Sequence, residues 1–320
     1  MRVLLAGVLS PTGQLVARQL DSDYRVYALC ASDMHSLIKD DNGPLAATNV
    51  LACGGAGMKS DVPVDALVIA TDDAPPIASL KRLLSSCKAV DHTILLSRLG
   101  ASTGRGGLDR WQEVEEIATA CCPNLTICRL GEPLLGGPYY AREVDQIRWR
   151  TNRVADYQLA AQVATGDTLS QSGFGSSRIV AASAIASALR RGPEGQCSYS
   201  VISSEGEATP PETYDAFFAQ AAGTVAGTSG STGAQTAQVE IDLSDELLGA
   251  FTKPYTPPPP TPLELLKASF FGNPAVAGPN WFILIFFVGG MYQCTLPDYI
   301  QKTGVDVFGL APKYGIVLGS

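Results

Sequence analysis

Histidine is almost absent from this sequence, which has only His35 and His92 in 320 residues. Neither has a cysteine, a second histidine or a carboxylate cluster beside it, so a histidine-based metal centre or catalytic base has little material. We interpret both as surface residues. Basic residues are also scarce, because 23 lysines and arginines against 31 aspartates and glutamates give a formal net charge of −8. Since a nucleic-acid partner requires a basic face, we expect none.

Metal-binding cysteine patterns are missing as well. The eight cysteines lack the spacing of a metal site, and only Cys121 and Cys122 are close in sequence. Adjacent cysteines rarely form a disulfide with each other. The sequence therefore predicts no metal and a reducing compartment such as cytosol, stroma or matrix. No cleavable signal precedes the first predicted strand, so a targeting peptide is expected to be either absent or already removed.

Buried strands alternating with helices are what the first two thirds of the chain do contain. The apolar runs that predict strands are Val3–Leu5, Tyr24–Leu29, Ala66–Ala70, Thr93–Ser97 and Leu125–Arg129. The helical patterns are Gly13–Leu20, Ile77–Ser86, Arg110–Ala120, Arg178–Arg190 and Pro211–Ala222. This alternation predicts an α/β fold in which helices cover both faces of a parallel sheet, that is, a Rossmann-like doubly wound domain.

The composition changes after residue 222. Residues 223–263 combine a Gly/Ser/Thr/Ala-rich stretch, a short acidic amphipathic piece and the proline-rich PYTPPPPTP. Stretches of the first and last kind are typical of flexible and stiff spacers respectively. We therefore predict three parts: residues 1–222 as a Rossmann-like NAD(P)-binding-fold domain, 223–263 as a linker and 264–320 as a membrane-anchoring tail.

The tail contains a run without charge, from Trp281 to Tyr292. It predicts a single transmembrane helix over about 281–299. If the helix stopped at Leu296, before Pro297, its 16 residues would rise only about 24 Å. To span a hydrocarbon core of about 30 Å, the helix would have to extend through Pro297, or the bilayer would have to thin locally. A buried helix of a soluble domain is the alternative. The residues expected to contact the bilayer or a partner helix are Trp281, Phe286, Gly289, Gly290 and Tyr292.

Five stretches occur in an order that is specific when they are taken together: LLAGVLSPTGQLVARQL, YRVYALC, ILLSRLGAS, EEIATACCPNLTICRLGEPL and GSSRIVAASAIASAL. With them the first 220 or so residues resemble the atypical short-chain dehydrogenase/reductase family, in particular its NmrA-like branch. In that family the stretches are the glycine turn, the second strand, a serine-ended strand, the approach to an Arg-Pro-Gly corner and a late helix. The resemblance does not extend past Gly223.

The resemblance implies a degenerate cofactor site. Gly7 and Gly13 match the first and last glycines of the family's phosphate loop, but Ser10 replaces the middle one, and its Cβ would crowd a phosphate. Ala31 stands where NADP-preferring members carry an arginine. Asp33 could accept a ribose hydroxyl, although it lies late for that role. We expect weak NAD(P) binding or none.

The family's catalytic pair is also missing. The position of the acid/base tyrosine falls on Gly107 and that of its lysine on Trp111, and no Tyr-x-x-x-Lys occurs elsewhere. Ser97 remains at its strand end and completes the candidate cofactor residues. Arg129 remains too, and the alternative for it is an ion pair internal to the fold. We therefore predict no catalytic residues and no hydride transfer.

Two functions follow from the resemblance and the tail. The first is a non-catalytic accessory or assembly subunit of an organellar membrane protein complex. By analogy with plastid members of the family, a photosystem in the thylakoid is favoured over a respiratory complex, with the globular domain on the stromal (or matrix or cytosolic) side. Its partners would be the complex subunits and the lipid bilayer. The alternative is a membrane-tethered NAD(P)-dependent reductase or epimerase acting on a lipid-like or quinone-like substrate. A soluble NADP-sensing regulator is disfavoured by Ala31 and the tail.

Overall fold

The computed structural model describes residues 1–39, 45, 48–54, 64–88, 90–104, 107–136, 159–170, 175–223 and 245–251. All of them belong to one compact unit, Met1–Pro258. Within these ranges no helix combines the length and the apolar character needed to cross a membrane. The predicted transmembrane helix and its five contact residues lie outside the described residues.

An eight-stranded sheet forms the centre of the domain. Its strands are β1 (Arg2–Ala6), β2 (Arg25–Leu29), β3 (Leu51–Cys53), β4 (Ala66–Ile69), β5 (His92–Arg98), β6 (Leu125–Leu130), β8 (Ala160–Thr165) and β10 (Gln196–Ser204). The spatial order is β3-β2-β1-β4-β5-β6-β10-β8, and neighbours are parallel except for β8, which is antiparallel to β10. The short strands β7 (Leu134–Leu135) and β9 (Ser176–Ser177) form a second, two-stranded sheet. Each of the five predicted strands is part of the large sheet.

Helices cover both faces of this sheet. They are α1 (Pro11–Asp21), α2 (His35–Lys39), α3 (Ile77–Ser86), α4 (Asp109–Cys121), α5 (Arg178–Arg191), α6 (Pro211–Gly223) and α7 (Asp245–Phe251). Side chains alternate along β1, so that Val3 and Leu5 belong to the apolar cluster of α1 and α5. Leu4 and Ala6 belong to the other cluster, with α3 and α4. The prediction of a doubly wound α/β domain is confirmed.

Helix α7 lies inside the segment that the composition predicts as a linker. Leu248 is fully buried and Phe251 nearly so, and both belong to the apolar cluster of α3 and α4. Their spacing of three residues places them on one face of the helix. The segment 223–263 is therefore not a spacer throughout, because two apolar side chains dock its acidic amphipathic piece on the domain.

Strand β1 sits where the strand order reverses, since β2 lies on one side of it and β4 on the other. In an open parallel sheet of this kind, the loops leaving the carboxyl ends of two such strands diverge to opposite faces and leave a crevice, where ligands bind. The candidate residues Gly7, Ser10 and Gly13 follow β1 directly, at this edge.

The interpretation of His92 as a surface residue is wrong, because the side chain is only 2% exposed at the start of β5. One ring nitrogen, Nε2, lies 2.9 Å from Thr126 Oγ1. Burial lowers the pKa of His92 to about 4, despite the opposing charge of Glu194. His35 is half-buried at the start of α2.

This burial predicts an acid-sensitive fold. The unfolded chain takes up a proton on His92 below about pH 6.5, whereas the folded chain does so only near pH 4, so stability falls as the pH drops through that window. By pH 4.5 the loss from this residue is about 2–3 kcal/mol. We expect His92→Gln to unfold in urea with a smaller difference in stability between pH 7 and pH 4.5 than the wild type. Parallel pH profiles for the two proteins would contradict the assignment.

Candidate ligand crevice at the carboxyl ends of the strands

The glycine turn after β1 is present and tightly packed. Gly7 has φ +89°, and a Cβ added to it would lie 2.6 Å from the carbonyl oxygen of Ala70, just past β4. A Cβ on Gly13 would lie 1.9 Å from the carbonyl oxygen of Gly7. The first turn of α1 is thus pressed directly onto the end of β1. Packing alone requires both glycines, whether or not a ligand is bound.

Ser10 is the N-cap residue of α1. Its Oγ accepts a hydrogen bond from the backbone N–H of Gly13 at 3.0 Å and donates one to the carbonyl oxygen of Ala70 at 2.8 Å. Pro11 has no N–H to offer, and the N–H of Gln14 donates to the carbonyl oxygen of Ser10. A phosphate at a helix amino terminus is normally held by these same N–H groups. Here they are largely occupied by the chain.

A cluster of polar side chains lies next to this turn. The Thr12 hydroxyl donates to the Asp72 carboxylate in the loop after β4. Arg178, the first residue of α5, lies with its Nε 3.4 Å from the other carboxylate oxygen of Asp72. Thr12 is fully buried, and the side chains of Asp72 and Arg178 are about 15% exposed or slightly more. The loops after β1 and β4 and the start of α5 are therefore held together by one carboxylate.

Arg98, at the end of β5, joins the same cluster from the other side. It is 2% exposed, and its guanidinium donates to the backbone oxygen of Asp72 and, at 2.8 Å, to the carboxylate of Glu132. The guanidinium also lies over the Trp111 ring, 4.8 Å from its centroid. Sequence reasoning missed Arg98. The available signal was a cation at the end of an otherwise apolar strand, which must have partners to be buried.

Ser97 stands apart from the glycine turn, two strands away in the sheet. Its side chain is fully buried, and its Oγ donates to the Glu115 carboxylate at 2.5 Å. Arg129 on β6 donates to both oxygens of Glu115, at 2.9 and 2.7 Å, and both side chains are under 10% exposed. The ion pair internal to the fold is therefore the right interpretation of Arg129. Ser97 therefore lies at the same edge of the sheet as Gly7, Ser10 and Gly13, two strands away, with its hydroxyl bound to Glu115.

Asp167 connects Arg129 of this ion pair to the turn that follows β5. This carboxylate lies 3.9 Å from Arg129 Nε and accepts from the backbone N–H of Gly100 and from the Ser102 hydroxyl. Burial would raise the pKa of Asp167, but the hydrogen bonds from Ser102 and Gly100 and the charge of Arg129 outweigh it, and the pKa is lowered. The arrangement fixes the loop after β5 rather than preparing a proton donor.

The remaining predicted positions lie as follows. Gly107 is exposed, with φ +85°, in the turn before α4, and Trp111 is buried in the first turns of that helix. Asp33 is exposed in the short 3-10 turn after β2, and Ala31, just before that turn, is 7% exposed. Neither Gly107 nor Trp111 has a group that can transfer a proton or hold a ribose.

The residues at this edge do not fit a tightly bound dinucleotide. The helix amides that would hold the pyrophosphate are largely used by Ser10, and Ala31 offers nothing to a 2′-phosphate. A third obstacle is Leu248 of α7, because a Cβ on Gly54, directly after β3, would lie 2.6 Å from Leu248 Cδ1. Gly54 follows the strand next to β2, on the side where the adenosine half of a dinucleotide binds in this fold.

No family model and no curated protein matches this chain. Among solved structures, an NAD-dependent epimerase/dehydratase candidate from Bacillus halodurans is 14% identical with a TM-score of 0.45, over 68% of this chain and 99% of its own. An anaerobillin reductase from Escherichia coli O157:H7 is 14% identical with a TM-score of 0.43, over 66% and 100%. A wide-type short-chain dehydrogenase/reductase from Veillonella parvula, solved with NADP, is 11% identical with a TM-score of 0.45, over 63% and 94%.

The chain's own strand order defines the class of the domain. A mostly parallel sheet ordered β3-β2-β1-β4-β5-β6, with a glycine turn after β1 and helices on both faces, is a Rossmann-like α/β domain.

Proposed function

We propose that this chain is a non-catalytic Rossmann-fold subunit that acts by binding other proteins. One observation carries the proposal: the hydroxyls of Ser10, Thr12 and Ser97 all donate to internal acceptors. A proton-transferring group has to face the substrate with a pKa suited to its task. Among the described residues of the crevice, the side chains of Ser10, Thr12 and Arg98 instead bind acceptors of the chain itself and hold its loops in place.

We further propose, as the sequence led us to expect, that the chain belongs to an organellar membrane protein complex and is anchored by its tail. The uncharged run at Trp281–Tyr292 supports the anchor. The choice of a photosystem in the thylakoid over a respiratory complex rests on the family resemblance alone, as does the stromal side for the globular domain.

A reductase or epimerase is the second candidate. The retained glycine turn favours it, because Gly7 and Gly13 still bring α1 close to the end of β1, as nucleotide-binding members of this fold require. Such an enzyme would need a different acid/base from the tyrosine and lysine of the resembled family.

The test is turnover by the full-length protein. We expect no oxidation of NADH or NADPH above the rate without enzyme, for a panel of carbonyl, lipid-like and quinone-like substrates. Arg190→Met, a surface variant, serves as a handling control and is expected to behave identically. Substrate-dependent oxidation that scales with protein concentration would replace the proposal with the second candidate.

The anchoring proposal is tested separately by washing membranes with alkaline carbonate. Full-length protein is expected to stay in the pellet, whereas a chain ending after Pro262 is expected to be released. If both are released alike, the tail does not insert. The subunit proposal would then rest on the globular domain only.

A further inference from the structure

We propose that α7 is an internal plug that occupies the adenosine half of the crevice, so that α7 docking and the binding of an adenine nucleotide exclude each other. The proposal concerns binding only and does not depend on whether the chain catalyses a reaction.

The position of Leu248 is the first argument. A Cβ added to Gly54, the residue that follows β3, would lie 2.2 Å from the carbonyl oxygen of Cys30 and 2.6 Å from Leu248 Cδ1, so Leu248 lies against the end of β3. Leu248 is fully buried and belongs to the same apolar cluster as Ala31, the second residue after β2, and Cys53, the last residue of β3. In nucleotide-binding members of this fold, the segment that follows β2 meets the adenosine ribose. Leu248 thus lies beside the carboxyl ends of the two strands that border the adenosine position.

The neighbouring helix supplies the second argument. Helix α7 packs against α3, and Phe251 shares the cluster with Ala74 and Ile77 at the beginning of α3. The carboxyl ends of β2 and β3 and the beginning of α3 together form an apolar seat of the kind that an adenine ring requires. Two apolar side chains of the chain itself fill that seat.

The length of α7 makes this docking reversible. A helix of seven residues is not stable alone in water, so α7 is helical because it is docked. Because α7 belongs to the same chain as its seat, its docking is intramolecular, and a competing ligand has to overcome that advantage. The competition weakens the ligand's apparent affinity without abolishing the site.

The experiment compares ADP-ribose binding to full-length wild type, Leu248→Asp and Phe251→Ala by calorimetry. If α7 is docked in nine tenths or more of the molecules, undocking it raises the apparent affinity about tenfold or more. Leu248→Asp places a charge on the apolar seat and should give the larger gain, and Phe251→Ala a smaller one. Gly249→Ala is the matched control, because Gly249 is exposed with no atom within 4 Å of an added Cβ. It favours the helix and should not raise the affinity.

Hydrogen exchange of residues 245–251 provides the second measurement. We expect slow exchange in the wild type, fast exchange in Leu248→Asp, and faster exchange in the wild type when ADP-ribose is added at millimolar concentration. Unchanged affinity in a Leu248→Asp protein that exchanges fast at 245–251 would overturn the proposal. So would rapid exchange of this segment in the free wild type. If Leu248→Asp does not fold, Phe251→Ala answers the same question through the same two measurements.

Discussion

Replacing Arg129 by methionine is expected to lower the free energy of unfolding by about 3–5 kcal/mol. The side chains of Arg129 and Glu115 are 7% and 6% exposed, and two hydrogen bonds join them. Methionine fills a similar volume but leaves the Glu115 carboxylate buried without its cation. Such a loss is a large part of the stability of an ordinary domain, which is about 5–15 kcal/mol. Urea unfolding followed by circular dichroism measures it.

Two further variants separate lost charge pairing from lost packing. The double variant Arg129→Met/Glu115→Leu removes both charges and should regain most of the stability, because the Glu115 carboxylate is gone and Asp167 keeps its hydrogen bonds from Gly100 and Ser102. Arg190→Met is the matched control. It breaks a pair with Asp215 whose side chains are 28% and 44% exposed, and should cost no more than about 1 kcal/mol. An Arg129→Met protein as stable as Arg190→Met would show that the buried pair contributes nothing.

Gly13→Ala is expected to destabilise the domain by about 3 kcal/mol or more, the upper end for overpacking. The new Cβ would meet the carbonyl oxygen of Gly7 at 1.9 Å and that of Ala70 at 3.0 Å. Both contacts are with backbone, which cannot rotate away as a flexible side chain would. Helix α1 would have to lift off β1, and with it the contacts of Ser10 and Thr12. Thermal and urea unfolding both report the change.

The same substitution at Gly249 is the control. Alanine there meets nothing within 4 Å and favours the helical backbone, so the stability should stay the same or rise by up to about 1 kcal/mol. A Gly13→Ala protein within 1 kcal/mol of the wild type would mean that α1 adjusts freely. In that case the glycine turn would not be a packing requirement of this fold.

Continuous apolar runs explain why most of the sheet could be predicted from sequence. Strands β1, β4, β5 and β6 are buried on both faces, and burial of that kind leaves a simple apolar pattern. Strand β3 has only three residues, and β10 reads QCSYSVISS, so neither has such a pattern. Their places depend on pairing with β2 and β6, which are distant in sequence. Helix α7 was missed because low-complexity sequence surrounds it.

The candidate site was predictable only where local packing determines it. The turn at Gly7, Ser10 and Gly13 depends on neighbouring residues and was found at the end of β1. Arg129 could be assigned to an ion pair, but its partner Glu115 could not be identified, since the helix α4 that carries it also offers Glu113 and Glu116. The polar cluster around Asp72 joins side chains from α1, the loop after β4, β5 and α5. Nothing in a single sequence indicates that these four segments meet.

The order of the strands also bears on self-association. In the described sheet, β3 and β8 lie at the two edges, and an edge strand offers unpaired backbone groups to other chains. Strand β3 has three residues, and β8 has six, which run antiparallel to their neighbour. Leu51 on β3 is 40% exposed, so the side chains of this strand do not prevent another chain from pairing with it. The shortness of β3 is what limits such pairing. The β3 edge therefore offers a second copy of this domain only a short stretch of backbone on which to extend the sheet.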